Sequence, residues 1–294
     1  MMFGAAVRRS VIVAVQRQLR KSASNYQCRQ MTSSGGEITS NFQEVNGVNF
    51  HYQTVGQGDH VLLLMPGALG SSKSDFQPQF EKLNREKFHL VGIDPRGYGK
   101  SRPPDREFPM DFYNLDAKDA GDLMAALGHT KYSVLGWSDG GISAVILAAE
   151  YHDSIRKVVL WGSNAYFTER DIELFEVTRD INNWSERMKA PMVEQYGEDY
   201  FRKTWAGWVD CVTNMVNEKK DGDVCMSECR RIHRPTLILH GDKDPMVPPE
   251  HPVYLQRNIR GSRLVRFPDG KHNIHLRYAD EFNRHVEDFL LKEE

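Results

Sequence analysis

The strongest constraint on the fold is a series of short apolar runs, each of strand length, separated by segments with helical periodicity. The clearest run is "HVLLLMPG" at residues 60–67, and its continuous apolar character is typical of a strand buried on both faces of a parallel sheet. Five similar runs follow, at residues 88–97, 132–138, 155–163, 235–245 and 262–270. Strands that alternate with helices indicate βαβ units, so the sequence predicts an α/β fold with a mostly parallel sheet.

A hairpin precedes these runs and completes the predicted sheet. Residues 42–58 read "FQEVNGVNFHYQTVGQG", two β-rich stretches around Asn46-Gly47, a pair that favours a tight turn. Together with the six apolar runs, the hairpin gives a mostly parallel eight-stranded sheet. Helical spacing of apolar residues predicts flanking helices, at 114–127, 141–151 and 279–291.

One long segment, residues 165–231, interrupts the alternation of strands and helices. It is rich in Trp, Tyr, Glu, Arg and Met at helical spacing and contains no convincing strand pattern. More than 60 residues between two strand patterns exceed an ordinary crossover connection. We therefore predict a helical cap insertion over the strand ends, here called the helical insertion (165–231). It divides the predicted core into residues 37–164 and 232–294.

The amino-terminal segment, residues 1–36, differs in charge from the rest of the chain. It contains six Arg or Lys residues and no Asp or Glu, with apolar residues from Val11 to Val15 between the basic ones. A basic, amphipathic, acid-free start is typical of a mitochondrial transit peptide. The alternative is a disordered basic tail. On the first interpretation the protein is mitochondrial.

The composition bounds the class of protein. Apolar residues make up 40% of the chain and charged residues 27%, with a net charge of −2, which is ordinary for a globular protein and gives no indication of nucleic-acid binding. No run of about 18 apolar residues exists, so we expect no membrane span. The four cysteines lack the spacing of a zinc site and are interpreted as unpaired thiols: Cys28, Cys211, Cys225 and Cys229.

The hexapeptide "GWSDGG" at 136–141 carries the main indication of chemistry. It is a G-x-S-x-G motif that follows an apolar strand and precedes the small, apolar helical stretch "ISAVILAA". In that context a sharp strand-to-helix turn presents the serine hydroxyl at the sheet edge. A serine hydroxyl needs a base and an orienting carboxylate to act as a nucleophile. The motif therefore predicts Ser138 as a nucleophile.

The base and the carboxylate are expected later in the chain, in the order Ser, Asp, His. "GDKDPMVP" after one strand offers Asp244, with Asp242 as the competitor. "PDGKHNIH" after the next strand offers His272, with His275 as the competitor. Asp244 is preferred because it lies deeper in its loop, and His272 because it follows the glycine turn directly. The predicted catalytic residues are Ser138, Asp244 and His272.

Acyl transfer also needs backbone N–H groups that face the developing oxyanion. One is expected from the residue after the nucleophile, Asp139. The other is expected from "MPGALGSS" at 65–72, here called the oxyanion loop, where Ala68 is the preferred donor and Leu69 the second choice. All these groups belong to the protein, so we expect no metal and no organic cofactor.

Taken in order, these motifs resemble the α/β-hydrolase fold family. The resemblance covers about Glu44 to Leu291 and includes "PGALGSS", "DPRGYGKS", "GWSDGG", "GDKDPMVP" and "PDGKHNIH". One departure is Pro66, where most members have histidine. The resemblance implies the α/β-hydrolase fold and a Ser138–His272–Asp244 triad. Within the family the chain is most similar to the biphenyl hydrolase-like branch. That similarity implies a mitochondrial serine hydrolase of α-amino acid esters, including prodrugs such as valacyclovir.

The side chain of Asp139 is consistent with that substrate class. A carboxylate beside a developing oxyanion is unfavourable for neutral esters, but it is suited to a substrate with an α-ammonium group near its carbonyl. The alternative is that Asp139 faces an arginine of the helical insertion or solvent. We expect a monomeric hydrolase of small-molecule carboxylic esters, without nucleic-acid or membrane partners. The alternatives are a general carboxylesterase, a carbon–carbon bond hydrolase, a perhydrolase, or a non-catalytic binding protein on the same scaffold.

Overall fold

A computed structural model describes residues 36–292 of the chain. The predicted transit peptide, apart from Gly36, and Cys28 lie outside the described residues. The described part contains one eight-stranded sheet, as predicted. Its strands are β1 (Thr39–Val45), β2 (Val48–Val55), β3 (His60–Met65), β4 (Phe88–Ile93), β5 (Tyr132–Trp137), β6 (Ile155–Trp161), β7 (Thr236–Gly241) and β8 (Arg263–Phe267).

The sheet is mostly parallel and has the order β1-β2-β4-β3-β5-β6-β7-β8. Only the β1–β2 and β2–β4 pairs of this sheet are antiparallel. The turn between them has φ values of 50° at Asn46 and 73° at Gly47. Both angles fall in the region that a tight primed turn requires, which explains the Asn-Gly pair in the sequence.

Ten α-helices surround the sheet in the described part of the chain. They are α1 (Ser72–Lys82), α2 (Phe112–Ala126), α3 (Asp139–Glu150), α4 (Glu169–Arg179), α5 (Glu186–Tyr196), α6 (Glu198–Glu218), α7 (Met226–Arg231), α8 (Glu250–Asn258), α9 (Ile274–Arg277) and α10 (Ala279–Leu291). The three helices read from periodicity are α2, α3 and α10. Helix α1 was not among the sequence predictions, because Pro78 lies inside it and its backbone is kinked at Phe76.

The alternation of side chains along the strands divides the core into two layers. On β3, Leu63 and Met65 pack into the layer that contains α2 and α3. Leu62 and Leu64 pack into the opposite layer, with α1 and α10. Each central strand is therefore covered on both faces, which is why its sequence is a continuous apolar run.

The helical insertion lies between β6 and β7, as the sequence pattern predicts. It comprises α4 to α7, with short 3-10 turns at Ile181–Asn183 and Lys220–Gly222. Its aromatic side chains form its interior, as shown by Trp205 stacked on Trp208 with ring centroids 4.8 Å apart. Among residues 36–292, no helix combines the length and the apolar character that crossing a membrane would need. Cys211, Cys225 and Cys229 are buried free thiols.

Burial changes the charge of three histidines in the described part of the chain: His60, His240 and His275. Burial lowers the pKa of His60 to about 4, of His240 to about 4 and of His275 to about 3. The hydroxyl of Ser133 lies 2.8 Å from the Nε2 atom of His60. All three rings are therefore uncharged at neutral pH.

Candidate active site

Ser138 occupies the sharp turn between β5 and α3, with φ 55° and ψ −122°. Its backbone N–H donates to the Trp161 carbonyl at the end of β6 (3.0 Å), and its carbonyl accepts from the Gly141 N–H (2.9 Å). A positive φ is unfavourable for a residue with a side chain and persists only where the surroundings enforce it. The turn thus directs the Ser138 hydroxyl away from the sheet.

The glycines of this turn are required by close backbone packing. A Cβ atom on Gly140 would lie 2.1 Å from the Met65 carbonyl oxygen, and one on Gly136 would lie 2.4 Å from the Gly140 carbonyl oxygen. Real Cβ atoms do not approach backbone so closely, so a larger residue at either position would displace the turn. Because Met65 begins the oxyanion loop, this packing also fixes the nucleophile turn against that loop.

A continuous hydrogen-bonded chain joins the three predicted catalytic side chains. The Ser138 Oγ atom lies 3.1 Å from the Nε2 atom of His272, and the His272 Nδ1 atom lies 2.8 Å from the Oδ2 atom of Asp244. Since an ionised carboxylate only accepts hydrogen bonds, Nδ1 carries the proton and Nε2 is left to accept from Ser138. The imidazole is therefore oriented to take the serine proton.

The loops after β7 and β8 hold Asp244 and His272 in place. The Asp244 side chain is only 1% exposed, and its Oδ1 atom accepts the N–H groups of Met246 (2.8 Å) and Val247 (3.1 Å). The carbonyl of His272 accepts the indole N–H of Trp137 (3.1 Å), on the strand that ends at the nucleophile. Both groups are therefore fixed by backbone as well as side-chain contacts.

The two groups shift each other's pKa. Burial lowers the pKa of His272, but the charge of Asp244 and the hydrogen bond between them outweigh it, so the pKa lies above the ordinary value. Burial raises the pKa of Asp244, but the His272 charge and the hydrogen bonds it accepts outweigh that effect and lower the pKa. Asp244 is therefore ionised throughout the neutral range and stabilises a protonated His272.

The two competing residues lie outside this hydrogen-bonded chain. Asp242 is paired with Arg266 at the partly exposed edge of the sheet, with an Nε to Oδ1 distance of 2.6 Å. His275 is fully buried among aromatic rings, 4.6 Å from Trp137 and 5.2 Å from Trp161 between centroids. The structure brings Asp244 and His272 to Ser138 and leaves Asp242 and His275 in structural positions.

Two backbone amides near Ser138 are candidate oxyanion donors. Asp139 is the first residue of α3, and the first amides of a helix have no acceptor within it. In residues 36–292, the amide of Ala68 also donates to no protein group. Leu69, the second choice, has a positive φ of 56°. Its carbonyl accepts the Tyr196 hydroxyl at 2.7 Å.

A buried carboxyl group supports the oxyanion loop from the core side. Asp75, on α1, accepts the Gly67 N–H at its Oδ2 atom (3.1 Å) and the Ser74 hydroxyl at its Oδ1 atom (2.6 Å). Burial raises the pKa of Asp75 to about 7, against the lowering effect of these hydrogen bonds. No sequence motif indicated this residue.

The Asp139 carboxylate is buried, 8% exposed, and its two oxygen atoms accept from neutral donors. Oδ1 accepts the Tyr113 hydroxyl of α2 (3.0 Å), and Oδ2 accepts the Trp208 indole N–H of α6 (2.7 Å). Burial raises the pKa of Asp139 to about 6, against the lowering effect of those two hydrogen bonds. Asp139 therefore faces neither an arginine of the helical insertion nor solvent.

The nearby cations are engaged by other carboxylates. Arg106 makes two hydrogen bonds to Asp116, of 2.7 and 2.6 Å, and its side chain is 2% exposed. Arg96 makes two hydrogen bonds of 2.9 Å to Asp119. Asp139 has no direct cationic partner in the described part of the chain, although it borders the cavity that Arg96 and Asp116 also line.

Comparison with known proteins identifies the scaffold. The sequence profile of the alpha/beta hydrolase fold matches residues 60–189 and 179–277. The chain belongs to the alpha/beta hydrolase fold family. It is 52% identical over 264 residues to the Mus musculus protein named serine hydrolase BPHL, covering 90% of each chain. Against the Homo sapiens serine hydrolase BPHL it is also 52% identical, over 87% of this chain and 88% of the human one.

Solved structures of alpha/beta hydrolases show the same fold at much lower sequence identity. The 2-hydroxy-6-oxo-6-phenylhexa-2,4-dienoate hydrolase from Rhodococcus sp. strain RHA1 superposes with a TM-score of 0.74 at 18% identity, over 87% of this chain and 99% of that one. The serine hydrolase CCSP0084 from Cycloclasticus zankles gives 0.73 at 18% identity, over 86% and 98%. At this identity the similarity establishes the fold alone.

Within this alpha/beta hydrolase, four side chains that hold groups of the site in place were not predicted from the sequence. Tyr113 and Trp208 bind the Asp139 side chain, Asp75 binds the oxyanion loop, and Tyr196 reaches the same loop from the helical insertion. None belongs to a motif with fixed spacing. The aromatic richness of the insertion was visible, but nothing in the sequence indicated which ring meets which group.

Proposed function

We propose that the protein is a serine hydrolase that cleaves carboxylic esters, preferentially those of α-amino acids, through an acyl-enzyme intermediate. The observation that carries the proposal is the Ser138–His272–Asp244 chain of hydrogen bonds, at 3.1 and 2.8 Å. The relatives named serine hydrolase at 52% identity support the same reaction class. The substrate preference rests on the environment of Asp139.

The reaction follows from the roles of the three side chains. The Ser138 Oγ atom attacks the ester carbonyl carbon while His272 Nε2 takes the hydroxyl proton, and Asp244 stabilises the resulting imidazolium. Collapse of the tetrahedral intermediate breaks the carbon–oxygen bond to the alcohol, which receives the proton from His272. A water molecule then attacks the acyl-enzyme with His272 again as base. The released acid carries one water oxygen, and Ser138 regains its proton.

The amides of Ala68 and Asp139 are the proposed oxyanion donors, with Leu69 as the second choice for the loop. Removing one such donor typically costs about 3 kcal/mol of transition-state stabilisation. Both amides belong to backbone that is packed against the nucleophile turn, so they require little reorganisation when the negative charge develops on the carbonyl oxygen.

The buried carboxylate of Asp139 supports recognition of an α-ammonium group. Its two protein partners are neutral donors, so the negative charge has no direct counterion. Burial already disfavours that charge, as its raised pKa of about 6 shows. A cation that enters beside it would relieve part of this cost through a charge-assisted hydrogen bond. An α-ammonium group lies one carbon from the ester carbonyl, and Asp139 is the residue next to the nucleophile.

A panel of chromogenic esters tests both parts of the proposal. The panel pairs an α-amino acid ester with the ester of the corresponding α-hydroxy acid, which has nearly the same shape without the charge. Ser138→Ala should abolish turnover of both. Asp139→Asn should lower kcat/KM for the amino ester by at least ~10-fold, equivalent to about 1.4 kcal/mol, and leave the hydroxy ester unchanged or improved.

Asp139→Asn removes the charge but keeps the shape of the side chain. The amide oxygen can accept from Trp208, and the amide N–H can donate to the Tyr113 oxygen. An equal loss on both esters would assign Asp139 a purely structural role and place amine recognition elsewhere. Undiminished turnover by Ser138→Ala would contradict the serine mechanism, and absence of turnover by the wild-type protein would favour the non-catalytic binding protein.

A further inference from the structure

Tyr196, at the carboxyl end of α5 in the helical insertion, contacts the backbone of the oxyanion loop directly. Its hydroxyl donates to the Leu69 carbonyl (2.7 Å) and accepts the Gly99 N–H from the loop after β4 (2.9 Å). The residue is 7% exposed, and burial raises the pKa of its hydroxyl, so the hydroxyl keeps its proton at all working pH values.

We propose that Tyr196 is a positioning residue for the Ala68 oxyanion donor, so that the helical insertion fixes part of the catalytic machinery as well as covering it. The inference rests on the proposed function, since it needs an oxyanion at the Ala68 amide. It concerns the orientation of one peptide group and does not assign Tyr196 any contact with the substrate.

Peptide planarity transmits the constraint from Tyr196 to Ala68. The Leu69 carbonyl and the Gly70 N–H belong to one rigid peptide unit. Tyr196 holds the carbonyl side of that unit, and its N–H side donates to the Gly67 carbonyl (3.0 Å). The Gly67 carbonyl and the Ala68 N–H belong to a second rigid peptide unit, in which the two groups point in opposite directions across the trans peptide bond. Fixing Leu69 therefore fixes the direction of the Ala68 N–H.

The loop needs an external constraint because its conformation is unfavourable. Leu69 has φ 56°, in the left-handed region that is unfavourable for a residue with a side chain. Asp75 constrains the loop at Gly67 from the core side. Tyr196 supplies the constraint at Leu69 from the opposite side, so the loop is held at both ends of the proposed donor.

Tyr200 provides a matched control within the helical insertion. Its hydroxyl donates to the Gly97 carbonyl (2.8 Å) and accepts the Arg106 N–H (2.8 Å). Tyr196 and Tyr200 therefore each join the insertion to one core carbonyl and one core amide. Only Tyr196 binds the oxyanion loop. Tyr196→Phe and Tyr200→Phe each remove one hydroxyl and leave the ring.

The test compares steady-state kinetics of the two variants on the α-hydroxy acid ester, with active sites counted by titration with a fluorophosphonate. We expect Tyr196→Phe to lower kcat by ~10-fold, a fraction of the effect of losing a whole oxyanion donor, with KM within about twofold. Affinity for a trifluoromethyl ketone, which forms a tetrahedral oxyanion on Ser138, should fall by the same factor. Tyr200→Phe should leave both quantities within about twofold.

Two outcomes would overturn the inference. The first is an equal fall in kcat for both variants, which would mean that the hydroxyls only attach the insertion. The second is a lowered Tm for Tyr196→Phe with unchanged kcat and ketone affinity. The proposed function is tested separately by the fluorophosphonate, which should label the wild-type protein and not Ser138→Ala. Labelling that persists in Ser138→Ala would contradict the proposed function whatever the Tyr196 result.

Discussion

The sheet core and the helical insertion meet at Asp139 and contribute to the candidate site by different means. The core supplies Ser138, Asp244 and His272 from the loops after β5, β7 and β8, so every proposed reacting side chain comes from one rigid sheet edge. The insertion contributes donors to groups that the core already holds, at the Asp139 carboxylate and the Leu69 carbonyl. Changes in the core should therefore affect the reaction itself, and changes in the insertion should affect selectivity and positioning.

The largest effect is expected from breaking the core chain of hydrogen bonds. Ser138→Ala, His272→Ala and Asp244→Asn should each lower kcat by about 10³-fold or more, and double variants should lose little more, because the three groups act as one unit. Steady-state kinetics and circular dichroism check activity and fold. Asp242→Asn, which removes only the partly exposed pair with Arg266, is the control and should retain activity. An inactive Asp242→Asn with an active Asp244→Asn would reverse the assignment.

The second largest effect is expected from pH, because kcat/KM should fall about tenfold per pH unit once His272 in the core becomes protonated. His272 must be neutral to accept the serine proton, and its pKa lies above the ordinary value. The kcat/KM of the hydroxy ester should therefore fall as pH drops below that pKa. Asp75 also titrates near 7, so the profile is repeated with Asp75→Asn. If the acid limb disappears in that variant, it belongs to Asp75 and not to His272.

The insertion should produce a smaller and selective effect. Trp208→Phe removes the indole donor to Asp139 and raises the pKa of that carboxyl further, so fewer molecules carry the charge near pH 6. We expect KM for the α-amino ester to rise by ~10-fold, about 1.4 kcal/mol, with the hydroxy ester little changed.

Trp205→Phe is the matched control, because the Trp205 indole donates to the Thr178 carbonyl within the insertion (2.9 Å). It should lower Tm without changing the ratio between the two esters. Loss of that ratio in Trp205→Phe would show that general packing of the insertion, and not the bond to Asp139, determines selectivity.

The smallest effect is expected from the segment that belongs to neither region. A chain that starts at Glu37 should have kcat/KM within about twofold of the full chain, because every group proposed to act lies beyond residue 60. Residues 1–36 fused to a fluorescent protein should direct it to mitochondria, as imaging would show. Cytosolic fluorescence would exclude the targeting role and leave the proposed chemistry unaffected.

The proposed catalytic residues were predictable because each is marked by the residues next to it in the sequence. Ser138 follows a strand and opens a helix, and Asp244 and His272 each follow a strand end, so the order of elements along the chain was sufficient to place them. The sheet was predictable for the same reason, since each buried strand is a continuous apolar run. Helix α1 was missed because it contains Pro78 and buries polar side chains such as Gln79.

The partners of Asp139 and Leu69 could not be predicted, because their contacts join distant parts of the chain. Tyr113 is 26 residues from Asp139, Trp208 is 69, and Tyr196 is 127 from Leu69. No periodicity relates such positions, and many aromatic residues in the insertion were equally suitable. The packing of α2, α5 and α6 in the folded protein is what brings these three residues to the site.

The low pKa values of His60, His240 and His275 bear on how the protein tolerates acid. Below pH 6.5, His60, His240 and His275 are protonated in the unfolded chain but stay neutral in the native state. These three protons alone would lower the free energy of unfolding by about 4 kcal/mol per pH unit as the pH falls. Asp75 and Asp139, whose native pKa values are about 7 and about 6, take up two protons that the unfolded chain does not bind until near pH 4. Among these five groups the difference is about one bound proton, roughly 1.4 kcal/mol per pH unit, and the lowered pKa of His129 and the raised pKa of Asp116 act in opposite directions. At pH 5 the protein should therefore lose its hydrolytic activity but stay folded, and return to neutral pH should restore the activity.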